Sequence, residues 1–169
     1  MHERGTSEDS RIAVHRRVRE THTKLVSLIR ELERTLGVAQ THEIVSMWAK
    51  REAIRDVRSR VSRVPGGVRE FADVKRLIRE WVKELEETGM EMLRIVGETE
   101  TEMTISVTSC VMADVFGALD ARDVGYVLYC KQDFDAARAI DPRVGLRRAH
   151  TLMQGHECCD FTYFWEEQH

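Results

Sequence analysis

The sequence predicts an α+β fold: a helical N-terminal half followed by a small antiparallel sheet with two helices between its first and second strands. Three observations carry that prediction. Apolar residues recur at helical spacing through most of the first 95 positions, the period changes to two at 103–108, and turn residues fall where elements should end. With 169 residues, 42% hydrophobic and 33% charged, the chain can bury a core and reads as a single domain. Residues 1–97 read as a mainly helical scaffold and 98–169 as the α+β part that carries the chemistry.

The first helix is predicted over 10–36, where Val14, Val18, Leu25, Ile29, Leu32 and Leu36 line one face and Gly37 supplies the stop. A second starts near Thr41 and runs through Ile44, Val45, Trp48, Ile54, Val57 and Val61 until Val64-Pro65-Gly66-Gly67 breaks it. Phe71, Val74, Ile78, Trp81 and Leu85 mark a third helix, which is carried past Gly89 as far as Ile95. Met103, Ile105 and Val107 then alternate with Thr104, Ser106 and Thr108, the pattern of a half-buried strand. Two helices follow, at 110–119 and 121–140, the second ended by Asp141-Pro142 and Gly145. The last strands are expected at 146–153 and 158–165, joined by a tight turn at Gln154-Gly155-His156.

Charge narrows the partners. The net charge is -3, and acids interleave with the arginines nearly everywhere, so the clustered cations of a nucleic-acid footprint are absent. The basic-leaning stretch 50–63 reads as a solvated helix face. No window approaches the ~18 apolar residues of a membrane span, and the polar first ten residues carry no signal core, which predicts a cytoplasmic protein. In that reducing compartment Cys110, Cys130, Cys158 and Cys159 are expected as free thiols or metal ligands.

Cys110 stands where the first strand hands over to a helix, with Thr108 or Ser109 as N-cap. Its sulfur is expected near unpaired backbone N–H groups, which favours thiolate, although a small buried hydrophobe would also suit the place. Cys130 and Asp133 lie three apart on the second of these helices and project from one face, flanked by Val127 and Phe134. An aspartate beside a thiol can hold a proton or orient a water. On the last strand Cys159, Phe161, Tyr163 and Trp165 share one face, and Cys158, Asp160, Thr162 and Phe164 share the other. Cys159, on the larger aromatic face, is the candidate for an enclosed cavity. His150, on the paired strand, and His156, in the turn, are further proton carriers or ligands, or simply exposed histidines. His15 and His22, seven apart on the first helix, read as surface or core-edge residues. No cofactor is expected; the alternative is zinc on Cys110, Cys130 and Cys159, which would have to converge from three elements because no CxxC or HxxxH pair exists.

Read together, Cys130-Lys131-Gln132-Asp133, Asp141-Pro142 and the stretch from Leu146 through Arg148, Thr151-Leu152 and Gly155 to Cys159-Asp160-Phe161 resemble the L-2-amino-thiazoline-4-carboxylic acid hydrolase family. Cys110 fits a further cysteine of the family pattern at the start of the preceding helix. Position by position the resemblance points to Cys110, Cys130, Asp133, Arg148, Gly155 and Cys159. It departs at His156, where the family usually has an acid, and at Ala149, where it often has threonine. A more distant similarity is to vinyl-reductase-like small-molecule-binding domains, in which cysteines can hold zinc and the function is sensing.

The family resemblance implies hydrolysis of a cyclic amidine to an N-carbamoyl amino acid, with Cys130, Asp133, Cys159 and Cys110 as the catalytic set. Arg148 would meet the substrate carboxylate, since a guanidinium binds carboxylates bidentately, and His150 and His156 would assist. The partner expected is therefore a small-molecule substrate, with homo-oligomer formation left open. A ligand- or zinc-binding sensor domain without turnover is the alternative.

Overall fold

A computed structural model describes residues 3–166, with side chains from residue 12 onward. The polar first ten residues therefore lie outside the described side chains, although the backbone is already helical from Glu3. Helices α1 (Glu3–Leu36), α2 (Val38–Val61) and α3 (Phe71–Glu87) precede strands β1 (Glu91–Glu98) and β2 (Glu102–Cys110). Then come α4 (Val111–Ala118), α5 (Arg122–Gly125), a π turn (Tyr126–Cys130) and α6 (Asp133–Ile140), followed by β3 (Val144–Arg147), a 3-10 turn (Leu152–Gln154) and β4 (Cys159–Trp165). The strands form one antiparallel sheet in the order β1-β2-β4-β3. The α+β class and the helical N-terminal half are as predicted.

Three local expectations are corrected. Helix α3 does not continue to Ile95. Gly89 takes a φ of 71°, and the N–H groups of Gly89 and Met90 donate to Glu86 (3.0 Å) and Leu85 (3.1 Å), a Schellman closure that turns the chain into β1. The helix expected over 121–140 is in three pieces. Lys131 N–H donates five residues back to Tyr126 C=O (2.9 Å), and the buried Gln132 amide donates to Val127 C=O (2.7 Å), so the chain widens before Ala136 N–H restarts a helix on Gln132 C=O (2.8 Å). The strand expected over 146–153 stops at Arg147, because the Asp160 carboxylate accepts the N–H groups of Ala149 (3.1 Å) and His150 (2.6 Å) and draws the backbone off the sheet. Thr151 Oγ1 then accepts from Gln154 N–H (3.1 Å), and Gly155, with φ 91°, ends the 3-10 turn that replaces the tight hairpin.

Among the described residues three apolar clusters fill the interior, the smallest being Val18 of α1 with Val111 and Val115 of α4; the other two meet each other. One joins Val57 of α2 and Phe71, Val74, Leu77 and Ile78 of α3 to the sheet residues Leu93, Met103, Ile105, Val107 and Val144. The other joins Val26 and Ile29 of α1 to Phe116, Val124, Leu128 and Met153 around the short helices. Cys110 and Leu152 touch both, so the end of β2 and the 3-10 turn form the seam. On the surface the arginines are answered by acids: Arg55 by Glu52, Arg60 by Asp56 and Glu84, Arg76 by Asp73, and Lys50 by Asp135.

Gly145 sits directly across from Phe164 on β4, and a Cβ there would lie 2.1 Å from the Phe164 ring. Gly145→Val should therefore overpack the β3-β4 contact and cost about 1–3 kcal/mol, read as a lower denaturation midpoint with an unchanged denaturant slope. An unchanged midpoint would show that β3 yields without cost.

Candidate active site

The seam between the clusters holds a cavity of about 270 Å³. Cys110 comes to it from the end of β2, Cys130 from the π turn, Asp133 from the first residue of α6, Arg148 from just beyond β3, and Cys159 from the start of β4. Five of the seven residues singled out in the sequence are thus brought together. His150 and His156 are not: both are exposed, their rings 4.7 Å apart, and His150 Nδ1 is 3.0 Å from Asp160, because Asp160 holds this loop away from the cavity. The expected strand alternation holds where it matters, with Cys159 and Phe161 lining the cavity and Cys158 not among its walls. Cys130 and Asp133 do not share one regular helix, since the π turn and the restart of α6 lie between them.

Arg148 is the most enclosed charge of the site, with 2% of its side chain exposed against 30% for Asp133. Its Nη1 bonds the Asp133 carboxylate, and its guanidinium lies 5.1 Å from the Phe134 ring centre, 5.4 Å from Phe161 and 5.9 Å from Tyr126. Asp133 and Tyr129 also line a larger groove of about 600 Å³ against Trp48, Ala49 and Glu52 of α2, so both stand in the wall between the two spaces.

One contributor is not legible in the sequence, and another is placed only loosely by it. Glu91 opens β1, is register-paired with Cys110, and accepts from Cys110 Sγ at 3.5 Å. A lone acid within Met90-Glu91-Met92-Leu93 was its signal, hidden by the overextended α3. His22, expected at the surface or the core edge, is buried against Phe116 and Tyr129: its Nδ1 donates to Val18 C=O (2.7 Å), and its Nε2 pairs with the Tyr129 hydroxyl.

Burial raises every acid of the cavity. It lifts Asp133 to about 7, with Arg148 pulling down and Glu91 pushing up, and it raises Glu91 against the weaker pull of the Cys110 bond. Burial and the Asp133 charge push Cys130 up to about 12, and burial pushes Cys159 up to about 11. Cys110 does receive hydrogen bonds from the backbone of Ala113 and Met112, as its helix-start position implied. Burial and Glu91 nevertheless outweigh them, and its thiol is raised, not made thiolate. Among the described residues, the group of three whose ligand atoms all lie within 4.8 Å of one another is Glu33, His42 and Asp123; the sulfurs of Cys110, Cys130 and Cys159 do not form such a group. Arg30 already bonds both carboxylates of that group.

The sequence pattern of the L-2-amino-thiazoline-4-carboxylic acid hydrolases matches residues 16–163, nearly the whole chain. The protein belongs to this family. No curated protein sequence matches it. Among solved structures, the phenol-responsive sensory domain of the transcription activator PoxR, with phenol, is 12% identical with a TM-score of 0.55, over 84% of this chain and 73% of that one. The trafficking protein particle complex subunit 3 of Naegleria fowleri, covalently bound to palmitic acid, is 14% identical with a TM-score of 0.50, over 94% and 96%. These likenesses place the hydrolase family member in a wider fold group. No helix among the described residues is long and apolar enough to cross a membrane.

Two measurements check the electrostatics. At pH 8, Cys130 and Cys159 should be alkylated by iodoacetamide roughly 10²–10³-fold more slowly than an ordinary thiol, with the rate restored in denaturant, because only the thiolate reacts. Rates equal to those of a free thiol would contradict the raised values. Asp133 in the folded protein keeps a proton that the unfolded chain releases near 3.8, so its contribution to stability is present below about 4 and lost as pH rises to about 7. Removing that titration in Asp133→Asn should make the slope of stability against pH less negative across this window, on top of a constant penalty for Arg148 left without a countercharge. An identical slope in both proteins would show that Asp133 is not raised.

Proposed function

We propose that the protein hydrolyses a small cyclic amidine that bears a carboxylate, of the 2-aminothiazoline-4-carboxylate kind, to an N-carbamoyl amino acid. The observation that carries this reading is the Arg148–Asp133 pair set among three thiols in one cavity of a hydrolase family member. One Arg148 N–H holds Asp133, and the rest of the guanidinium fork is suited to a substrate carboxylate. The reacting carbon carries ring nitrogen, ring sulfur and an exocyclic nitrogen. A water attacks it and passes a proton to Asp133; the C–S bond then breaks, and the departing sulfur takes a proton.

Asp133 suits the role of base because its raised value lies near neutrality, where proton transfer in both directions is easiest. The thiols are poor nucleophiles in this setting, since their burial disfavours thiolate. Direct addition of Cys130 to the same carbon is the competing route, and it would also need Asp133 to take the thiol proton. The sensor reading rests on the fold shared with the phenol-responsive domain, and it predicts binding without turnover.

The test is a panel of 2-aminothiazoline and related cyclic amidine carboxylates, followed by release of free thiol and carbamoyl product. Asp133→Asn, which keeps an oxygen for Arg148 to bond, should lower turnover by ~10²–10⁴-fold, and Cys130→Ala should do the same if the thiol adds directly. Cys158→Ala, outside the cavity, should be nearly silent. No turnover on any substrate would favour the sensor, and a Cys130→Ala variant as active as Cys158→Ala would remove the direct-addition route.

A further inference from the structure

We propose that Glu91 is the cation-binding residue of the cavity, and that it makes the site select ligands carrying an amidinium or guanidinium beside a carboxylate. This deepens the hydrolase reading, on which the choice of carboxylate probe rests. Glu91 is the first residue of β1, faces Cys110 across the strand pair, and shares its strand face with the buried Leu93. It lines the cavity together with the apolar side chains of Met90, Val107, Met112 and Leu152.

Charge balance supplies the second step. The cavity holds one cation, Arg148, and that cation is committed to Asp133. Glu91 has no basic partner among the described residues; its one hydrogen bond comes from the Cys110 thiol, a weak donor. A carboxylate left alone among apolar walls is costly, so the empty cavity favours the protonated form of Glu91, the direction in which burial moves it. The other titratable groups of the cavity are Cys110 on β2, Tyr129 and Cys130 in the π turn, Asp133 on α6, Cys159 on β4 and Arg148, the last bonded to Asp133; on its outer side Glu91 also borders a groove with Glu86 and Arg94.

An incoming amidinium changes that balance. It offers paired N–H donors and a positive charge to Glu91, which then releases its proton and forms a charge-assisted bond, while Arg148 receives the carboxylate. Binding and proton release are therefore linked, and affinity for a permanently charged ligand should fall as pH falls. A neutral ring of the same outline gains nothing from Glu91. The same contact would hold the amidine in its cationic, more electrophilic form during attack.

The probes are 2-iminoimidazolidine-4-carboxylate, whose cyclic guanidinium keeps its charge from pH 6 to 9, and its isostere with an uncharged ring, 2-oxoimidazolidine-4-carboxylate, each titrated calorimetrically into the full chain. The wild type should bind the guanidine at least about tenfold more tightly, as one charge-assisted hydrogen bond warrants, and release protons as it does so. That preference should shrink toward pH 6. Glu91→Gln should bind both probes alike, so that the preference and its pH dependence vanish while any dependence common to the two probes, from Asp133 beside Arg148, remains, and its retained binding of the oxo probe shows that it is folded. Equal affinities in the wild type, a preference that survives in Glu91→Gln, or failure to bind either probe would overturn the proposal. Turnover of 2-aminothiazoline carboxylate without cation preference removes Glu91 and leaves the hydrolase standing. Cation preference without turnover on the panel does the reverse.

Discussion

One buried guanidinium holds the active end of the molecule together. Arg148 leaves the sheet just after β3, and its side chain is covered by Tyr126 from the π turn, Phe134 from α6 and Phe161 from β4. Removing such a charge from water is expensive, and ring faces alone do not offset it. The offset is the Asp133 carboxylate, which must therefore be delivered to the same spot. It is delivered as the first residue of α6, where unpaired backbone N–H groups also favour a negative charge. A continuous helix from 122 onward would set Asp133 by regular helical rotation from Cys130. The π turn and the buried Gln132 amide instead change the helix's phase just before it.

The chemistry follows from how few charges that arrangement leaves. Three thiols face the cavity, yet burial holds each of them protonated, so they act as a soft lining rather than as ready anions. Proton traffic falls to the two carboxyls. One is tied to arginine and half open to the α2 groove; the other is untied and meets only a thiol. Burial raises both, and Glu91 pushes Asp133 further up, so that Asp133 titrates near neutrality despite its arginine.

The parts of this site legible in the sequence are those fixed by order and spacing. Cys130, Asp133, Arg148 and Cys159 stand in a recognisable series, and the period-two alternation at the end of the chain set Cys159 and Phe161 on the inner face and Cys158 off it. What could not be read was set by tertiary bonds. β1 hid behind Gly89, because Met90 and Leu93 continue a helical spacing that only the Schellman closure contradicts, and with β1 went Glu91. His150 looked like a neighbour of the cavity on a strand. The Asp160 carboxylate, eleven and ten residues ahead of the N–H groups that it binds, cancels that strand, and no local pattern announces such a bond.

The long helices also do more than enclose a core. His22 on α1 has its tautomer set by Val18, whose carbonyl can only accept, and so its other nitrogen is left to receive the Tyr129 hydroxyl. Tyr129 is a wall of the cavity, next in sequence to Cys130 and edge-on to Phe116, 5.8 Å away. A π turn is a wide and weakly specified piece of backbone, and its side chains need an outside reference to keep their directions. Here that reference comes from a helix 107 residues earlier in the chain, while α2 supplies the groove that opens onto Asp133. The irregular elements hold the reactive groups, and the regular ones fix where those groups point.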